Sequence, residues 1–256
     1  MNALSALAVA PRPRVVAGIV ARHLREIVRA RLLAWIAALG ALGWMAADDL
    51  RSRLGSAVLL AALGGTLAAI IAVAGRVADD LASGALMLDL LHGAREVELV
   101  AGATIAASAA AMPPVAIAAV GGVVTGLARG HGAVAVLLGA WVVVHVVAWS
   151  ALGVLIGTIA PSKANAIVLF SFFLFAGLSP DALPLGALPQ AIAAALRMAW
   201  SALPIVHHLA ALRDMLLLGA APSAWPGTVL LLTTPTCIGL AAWRLARMEP
   251  SERWMT

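Results

Sequence analysis

Six stretches of this 256-residue chain contain no charged side chain: residues 32–47, 54–75, 99–128, 130–162, 164–180 and 215–243. A helix that crosses a hydrocarbon layer needs about 20 mainly apolar residues, so the pattern predicts six spanning helices. The first run is short, but Arg29 and Arg31 can reach the interface with their heads while their stems extend the apolar surface. The fifth is also short and ends at Pro180. Two further charge-free stretches, 182–196 and 198–212, are interrupted by Pro184, Pro189 and Pro204. They read as short re-entrant or interfacial helices, because freed backbone groups cannot face lipid. Inside the third run Pro113 and Pro114 remove two successive donors and are expected to kink or interrupt that helix, as a hinge or as a packing bend.

The polar segments between these runs are as informative. Ahead of the first run lies VVAGIVARHLREIVRAR, in which Arg22, Arg25, Glu26 and Arg29 share one helical face. Val20, Leu24, Ile27 and Val28 supply its apolar side. Such a helix, over 14–31, lies in the plane of the inner leaflet; the alternative is a basic flank that only sets topology. Between runs two and three seven charges (Arg76, Asp79, Asp80, Asp89, Arg95, Glu96 and Glu98) surround Leu86, Met87, Leu88, Leu90 and Leu91. A short helix with both acidic and apolar residues suits docking to a soluble partner, and a connecting loop with one helical turn fits equally.

Composition narrows the class. Hydrophobic residues make up 63% of the chain and charged ones 11%, against about 25% charged in soluble domains. Mean hydropathy is +1.01. Too little polar surface exists to cover a water-facing globule, so an all-α integral membrane protein is expected, one transmembrane domain over 1–256 with its bundle at 32–248. With six spans both termini share a side. Arg51, Arg53, Arg129, Arg197 and Arg213 then fall outside, leaving twelve of the 17 basic residues inside. This bias puts the termini in the cytoplasm. The net charge of +5 is thus spent on membrane flanks, and no basic patch interleaved with aromatics points to nucleic acid. The first apolar residues, 3–10, precede the arginines, the reverse of a cleavable leader. Cys237, the single cysteine, reads as a small buried hydrophobe.

Chemistry is sparse. Ionisable residues inside spans mark ion sites and proton relays, and here the exception is His145, in WVVVHVVAW within the fourth run. It reads first as a neutral interhelical hydrogen-bond partner and second as a ligand. His207 and His208 are adjacent, which turns their side chains about 100° apart on a helix and suits a shared metal poorly. No phosphate loop, HExxH or GxSxG is present. No catalytic residue, metal or cofactor is therefore assigned, and the energy for any transport has to come from a partner.

Two segments carry a family resemblance. DDLASGALMLDLLHGAREVELVAGATIAA resembles the second cytoplasmic segment of the type 2 permease family of ABC exporters, through Asp80, Gly84-Ala85-Leu86, Leu90-Leu91, Arg95-Glu96 and Gly102. Near the C-terminus Pro180, Pro184, Pro189, Leu203-Pro204 and Leu212-Arg213 resemble the family's outer stretch, and Lys163 and the closing AAWRLAR also fit. The likeness runs over about residues 15–250. Asp79-Asp80 stands where glutamate is commoner, His92-Gly93 where a proline often stands, and Ala176-Gly177 in place of Ser-Gly.

The resemblance implies a dimer of permease chains, as homodimer or heterodimer, in a bacterial cytoplasmic membrane with two separate ATP-binding cassette subunits. Leu81–Leu91 would form the coupling helix, with Asp80, Gly84, Leu86, Asp89, Leu90, Leu91, Arg95 and Glu96 serving the contact to the ATPase. The interfacial helix bearing Arg22, Arg25, Glu26 and Arg29 would touch the same subunit. Spans one, two and five would line the path, and outer helices within 182–212 would cap it. The implied cargo is a small amphipathic compound or a lipid. The alternatives are a haem or cytochrome-assembly type permease, a secondary transporter, and a regulatory membrane subunit.

Overall fold

The computed structural model describes residues 11–29, 73–128, 132–178, 189–201 and 224–248, and all regular structure among them is helical. In chain order the elements are α1 (Pro13–Arg29), α2 (helical residues 73–82), α3 (Ala85–Leu91), α4 (Glu96–Ala128), α5 (Gly132–Ile159), α6 (Lys163–Leu178), α7 (Gln190–Ser201) and α8 (Ala224–Arg247). The helices α4, α5, α6 and α8 coincide with the third to sixth apolar runs. The first run, most of the second and most of the outer stretch 179–223 lie outside the described residues, with His207, His208, Pro180, Pro184, Pro204 and Arg213 among them.

Among the residues with described side chains no helix is long and apolar enough to cross a membrane. Those side chains end at Met112 in α4 and run continuously only from Val146 in α5. The all-helical class therefore stands, whereas the six-span arrangement does not follow from these residues. Of the two outcomes expected at the proline pair, a kink or an interruption, the interruption does not occur: the helical backbone of α4 continues through Pro113 and Pro114. A further proline, Pro235, sits inside α8.

The bundle is built around α5, which packs on α4, α8 and α6, while α1 lies against α4 and α4 also touches α8. Its core joins Val73, Val77 and Leu81 of α2, Leu86 of α3, Leu99, Val100 and Ala103 of α4, Val154 of α5, and Leu245 of α8. Trp149 of α5 meets Phe170 of α6 edge to face, with centroids 5.7 Å apart. Hydroxyls within these apolar helices donate to their own backbone, Thr104 Oγ1 to Val100 O at 2.8 Å and Thr233 Oγ1 to Val229 O at 2.7 Å. That satisfies a buried donor without needing a neighbouring helix.

Small residues set the closest approaches. A Cβ on Gly157 would stand 2.6 Å from the Ala74 carbonyl oxygen and 2.9 Å from Val77 Cβ, so α2 and α5 touch backbone to backbone. Gly239 of α8 has nothing within 4 Å of the same position. Gly157→Ala is expected to cost about 2 kcal/mol through overpacking against a rigid backbone. Gly239→Ala should be neutral or stabilising, because alanine is the better helix former. Thermal melting of the two purified variants checks the contrast, and equal melting temperatures would refute the close α2–α5 contact.

Candidate functional site: a charged seam around a short helix

The turns flanking α3 depend on glycine. Gly84 has φ of 74° and Gly93 φ of 86°, both in the left-handed region that costs other residues strain. Beyond α3 the amide of Gly93 donates to Leu90 O at 2.9 Å and that of Ala94 to Asp89 O at 3.0 Å. These are the paired bonds of a Schellman stop. Ser83 N donates to Asp79 O at 2.8 Å, which closes α2 ahead of the turn into α3. The result is one short helix bounded by two glycine-dependent turns.

Salt bridges fix that helix to the rest of the chain. Arg22 Nη1 of α1 donates to Asp89 Oδ2 of α3 at 2.7 Å, and its Nη2 stands 3.7 Å from Asp80 Oδ2 of α2. Asp80 itself accepts from Arg76 Nε at 2.9 Å, one helical turn away. Lys163 Nζ, at the start of α6, lies 3.8 Å from Asp79 Oδ2. Acids of the α2–α3 segment are thus engaged by cations from α1, α2 and α6.

Glu98 is the most completely held of the acids. It is 0% exposed. Its carboxylate accepts from the Arg12 amide and Nε at 2.8 Å through Oε1, and from Arg12 Nη2 at 2.8 Å and the Arg95 amide at 2.9 Å through Oε2. Arg12 Nη2 also donates to the Gly93 carbonyl. The Arg12 side-chain bonds hold the Glu98 carboxyl down at about 2, against the opposing effect of burial. The same bonds raise Arg12 above its ordinary value. With Arg12 at one end of α1 and Arg22 three turns on, α1 is tied to α3 at Asp89 and to the turn that follows it at Gly93.

His23 is buried on the inward face of α1, 3% exposed. Burial lowers it to about 4, helped by the charges of Arg22 and Arg76 and opposed by Asp89.

The residues singled out in the sequence divide sharply. Asp80 and Leu86 are buried, and Leu90 packs against the core, so these three stabilise the segment from within. Asp89 faces α1. Arg95 and Glu96 are half-buried, and Gly84 makes the turn. Leu88 and Leu91, 53% and 69% exposed, point outward three residues apart on one face. On α1, Arg22 turns inward and Arg25 outward, where its Nε donates to Ala21 O at 3.1 Å. The side chains of Glu26, Arg29 and His145 lie outside the described residues. Arg12, His23, Arg76, Asp79, Glu98 and Lys163 enter the seam unassigned by the sequence reading. The one signal for Glu98 was an acid abutting a 30-residue apolar run, 99–128. Among the described residues no group of three His, Cys, Asp or Glu side chains is placed to hold a metal.

No family model matches this chain, and no curated protein matches it as a relative.

Proposed function

We propose that the chain is the membrane-spanning permease subunit of an ATP-driven exporter, with six spans, both termini in the cytoplasm, and α3 as its contact to a separate ATP-binding subunit. The observation that carries this reading is the two-sidedness of α3. One side is anchored by Leu86, Leu90 and the Arg22–Asp89 bridge. The other presents Leu88 and Leu91 to the outside. A helix fixed on one side and apolar on the other transmits a push; a loose loop would absorb it.

The sequence supports the membrane setting. The Gly132–Ile159 helix has 28 residues and no charge, which at 1.5 Å per residue is about 42 Å against a hydrocarbon layer of about 30 Å. The charged seam then sits at the cytoplasmic ends of the helices, where the basic residues are concentrated. The cargo of this reading is a small amphipathic compound or lipid, moved between two copies of the chain.

Co-purification of the tagged chain from its native membrane tests the proposal. An ATPase with a phosphate-binding loop should be recovered near equal stoichiometry. Recovery of the chain alone, from membranes in which such an ATPase is present, would overturn it.

A further inference from the structure

We propose that Arg22 is a two-seat latch: it bonds Asp89 of α3 in the docked state and passes to Asp80 of α2 when α3 is displaced, so that α3 moves without freeing α1. Both seats surround one guanidinium. Nη1 donates to Asp89 Oδ2 at 2.7 Å, and Nη2 stands 3.7 Å from Asp80 Oδ2, roughly 1 Å beyond hydrogen-bond length. Nε and Nη2 are shielded from solvent and find no hydrogen-bond acceptor among the described residues. Idle buried donors cost stability. A guanidinium carries its donors in a rigid fork, so one small rotation offers them to a second carboxylate.

The three helices differ in how firmly they are held, and that decides which one moves. Asp80 is buried and keeps Arg76 Nε on its Oδ1 at 2.9 Å, so the second seat is fixed. Helix α1 is fixed as well, by Arg12 on Glu98 and by Ile19 against Gly102, where a Cβ would stand 2.6 Å from Ile19 Cγ2. Helix α3 has only seven residues, and a Cβ at either flanking glycine, Gly84 or Gly93, would meet nothing within 4 Å among the described residues. Its inward hold is Leu86 and, in part, Leu90. The bond from Arg12 to the Gly93 carbonyl limits the excursion, and roughly 1 Å is enough for the exchange.

Charge makes the exchange reversible. His23, buried beside these groups and lowered to about 4, is neutral at pH 7. The docked cluster therefore sets two cations, Arg22 and Arg76, against two acids, Asp80 and Asp89. With α3 displaced, partly exposed Asp89 turns to water and Asp80 serves both arginines, a poorer balance that favours return. The latch is a property of the seam itself. Its bearing on transport rests on the exporter reading, in which it gives α3 a defined second position and a way back.

Hydrogen–deuterium exchange of the full chain in detergent, read separately over α1 and over 84–94, tests the latch. Asp89→Asn should speed exchange in α3 about tenfold, for one charge-assisted bond lost, while α1 keeps its parental protection because Arg22 has moved to Asp80. Arg22→Gln empties both seats, and α1 and α3 should loosen together. Added to Asp89→Asn, it should still lower the melting temperature by several degrees. If Asp89→Asn loosens α1 as much as α3, or if Arg22→Gln costs nothing further in that background, there is no second seat. The first of these outcomes needs only a like-sized change at a partly exposed side chain, so it decides the matter even where Arg22→Gln fails to fold. No ATP-binding subunit enters either measurement, so a failed latch leaves the co-purification result standing, and a failed co-purification leaves the latch standing.

Discussion

Glu98→Leu should lower the melting temperature of the detergent-solubilised chain by roughly 5–10 °C, corresponding to about 3 kcal/mol for a chain of this size. Leucine fills nearly the same volume, so the loss is polar. The substitution strands the amides of Arg12 and Arg95, both of which donate to this carboxylate, and removes the two side-chain bonds from Arg12. An amide left without an acceptor costs about 1–3 kcal/mol where water does not reach it, whereas the Arg12 guanidinium, 46% exposed, returns to water. Glu98→Gln keeps the shape and some of the acceptors and should fall between leucine and the parent.

Acid separates the same contributions. A carboxyl held at about 2, down from the ordinary 4.5, stabilises the fold fully above pH 4.5 and loses that stabilisation as pH falls toward 2. His23, lowered to about 4 from 6.5, behaves likewise over a higher window: the unfolded chain takes up the proton first, so stability declines between pH 6.5 and 4. The parent should therefore lose stability in two acid steps. Glu98→Leu should erase the lower step and leave the upper one. A variant that melts like the parent at pH 7, or that retains both steps, would show that the Arg12–Glu98 contact does not hold α1 in place.

These residues also show what the sequence made legible. Helix positions over 96–128, 132–159, 163–178 and 224–247 followed from charge-free runs, because an apolar run of that length exceeds a strand and pairs its own backbone as a helix. The short helix at 85–91 was legible from leucines between acids, but it begins after a turn at Ser83-Gly84 and not at Leu81, as the resemblance implied. Orientation was not legible. Asp80, Asp89, Leu86 and Leu91 look equally available for a partner when read along the chain, yet Asp80 is 2% exposed and Asp89 bridges to Arg22. Apart from the local Arg76–Asp80 pair, which acid meets which arginine depends on pairs 58 to 86 residues apart, and local periodicity holds no information at that range. At Pro113–Pro114 a local rule allowed a kink or a break, and the helix runs through without the break. Prolines cost a helix two donors, but continuation still keeps the remaining backbone groups paired.

The orientation of α3 makes the coupling reading testable with residues that the fold does not need. Replacing Leu88 and Leu91 together with aspartate should leave helix content and membrane insertion unchanged, since neither side chain contributes to the buried core. Association with the ATP-binding subunit should weaken more than 100-fold. Burying one leucine is worth about 1.5–3 kcal/mol, and two lost at the centre of a contact give about 3 kcal/mol or more. Asp80→Arg is a poor probe of the same idea, because it places a cation among Arg22 and Arg76 and attacks the fold first. Asp89→Asn is the useful companion. It loosens the Arg22 anchor while leaving both leucines outward, so the subunit should still bind while transport-linked ATP turnover falls. Binding lost with the leucines and turnover lost with the anchor would separate the knob from the lever. If the double aspartate variant instead recovers the ATPase at parental stoichiometry and turnover, α3 is not the contact, and its outward leucines face something other than a motor subunit.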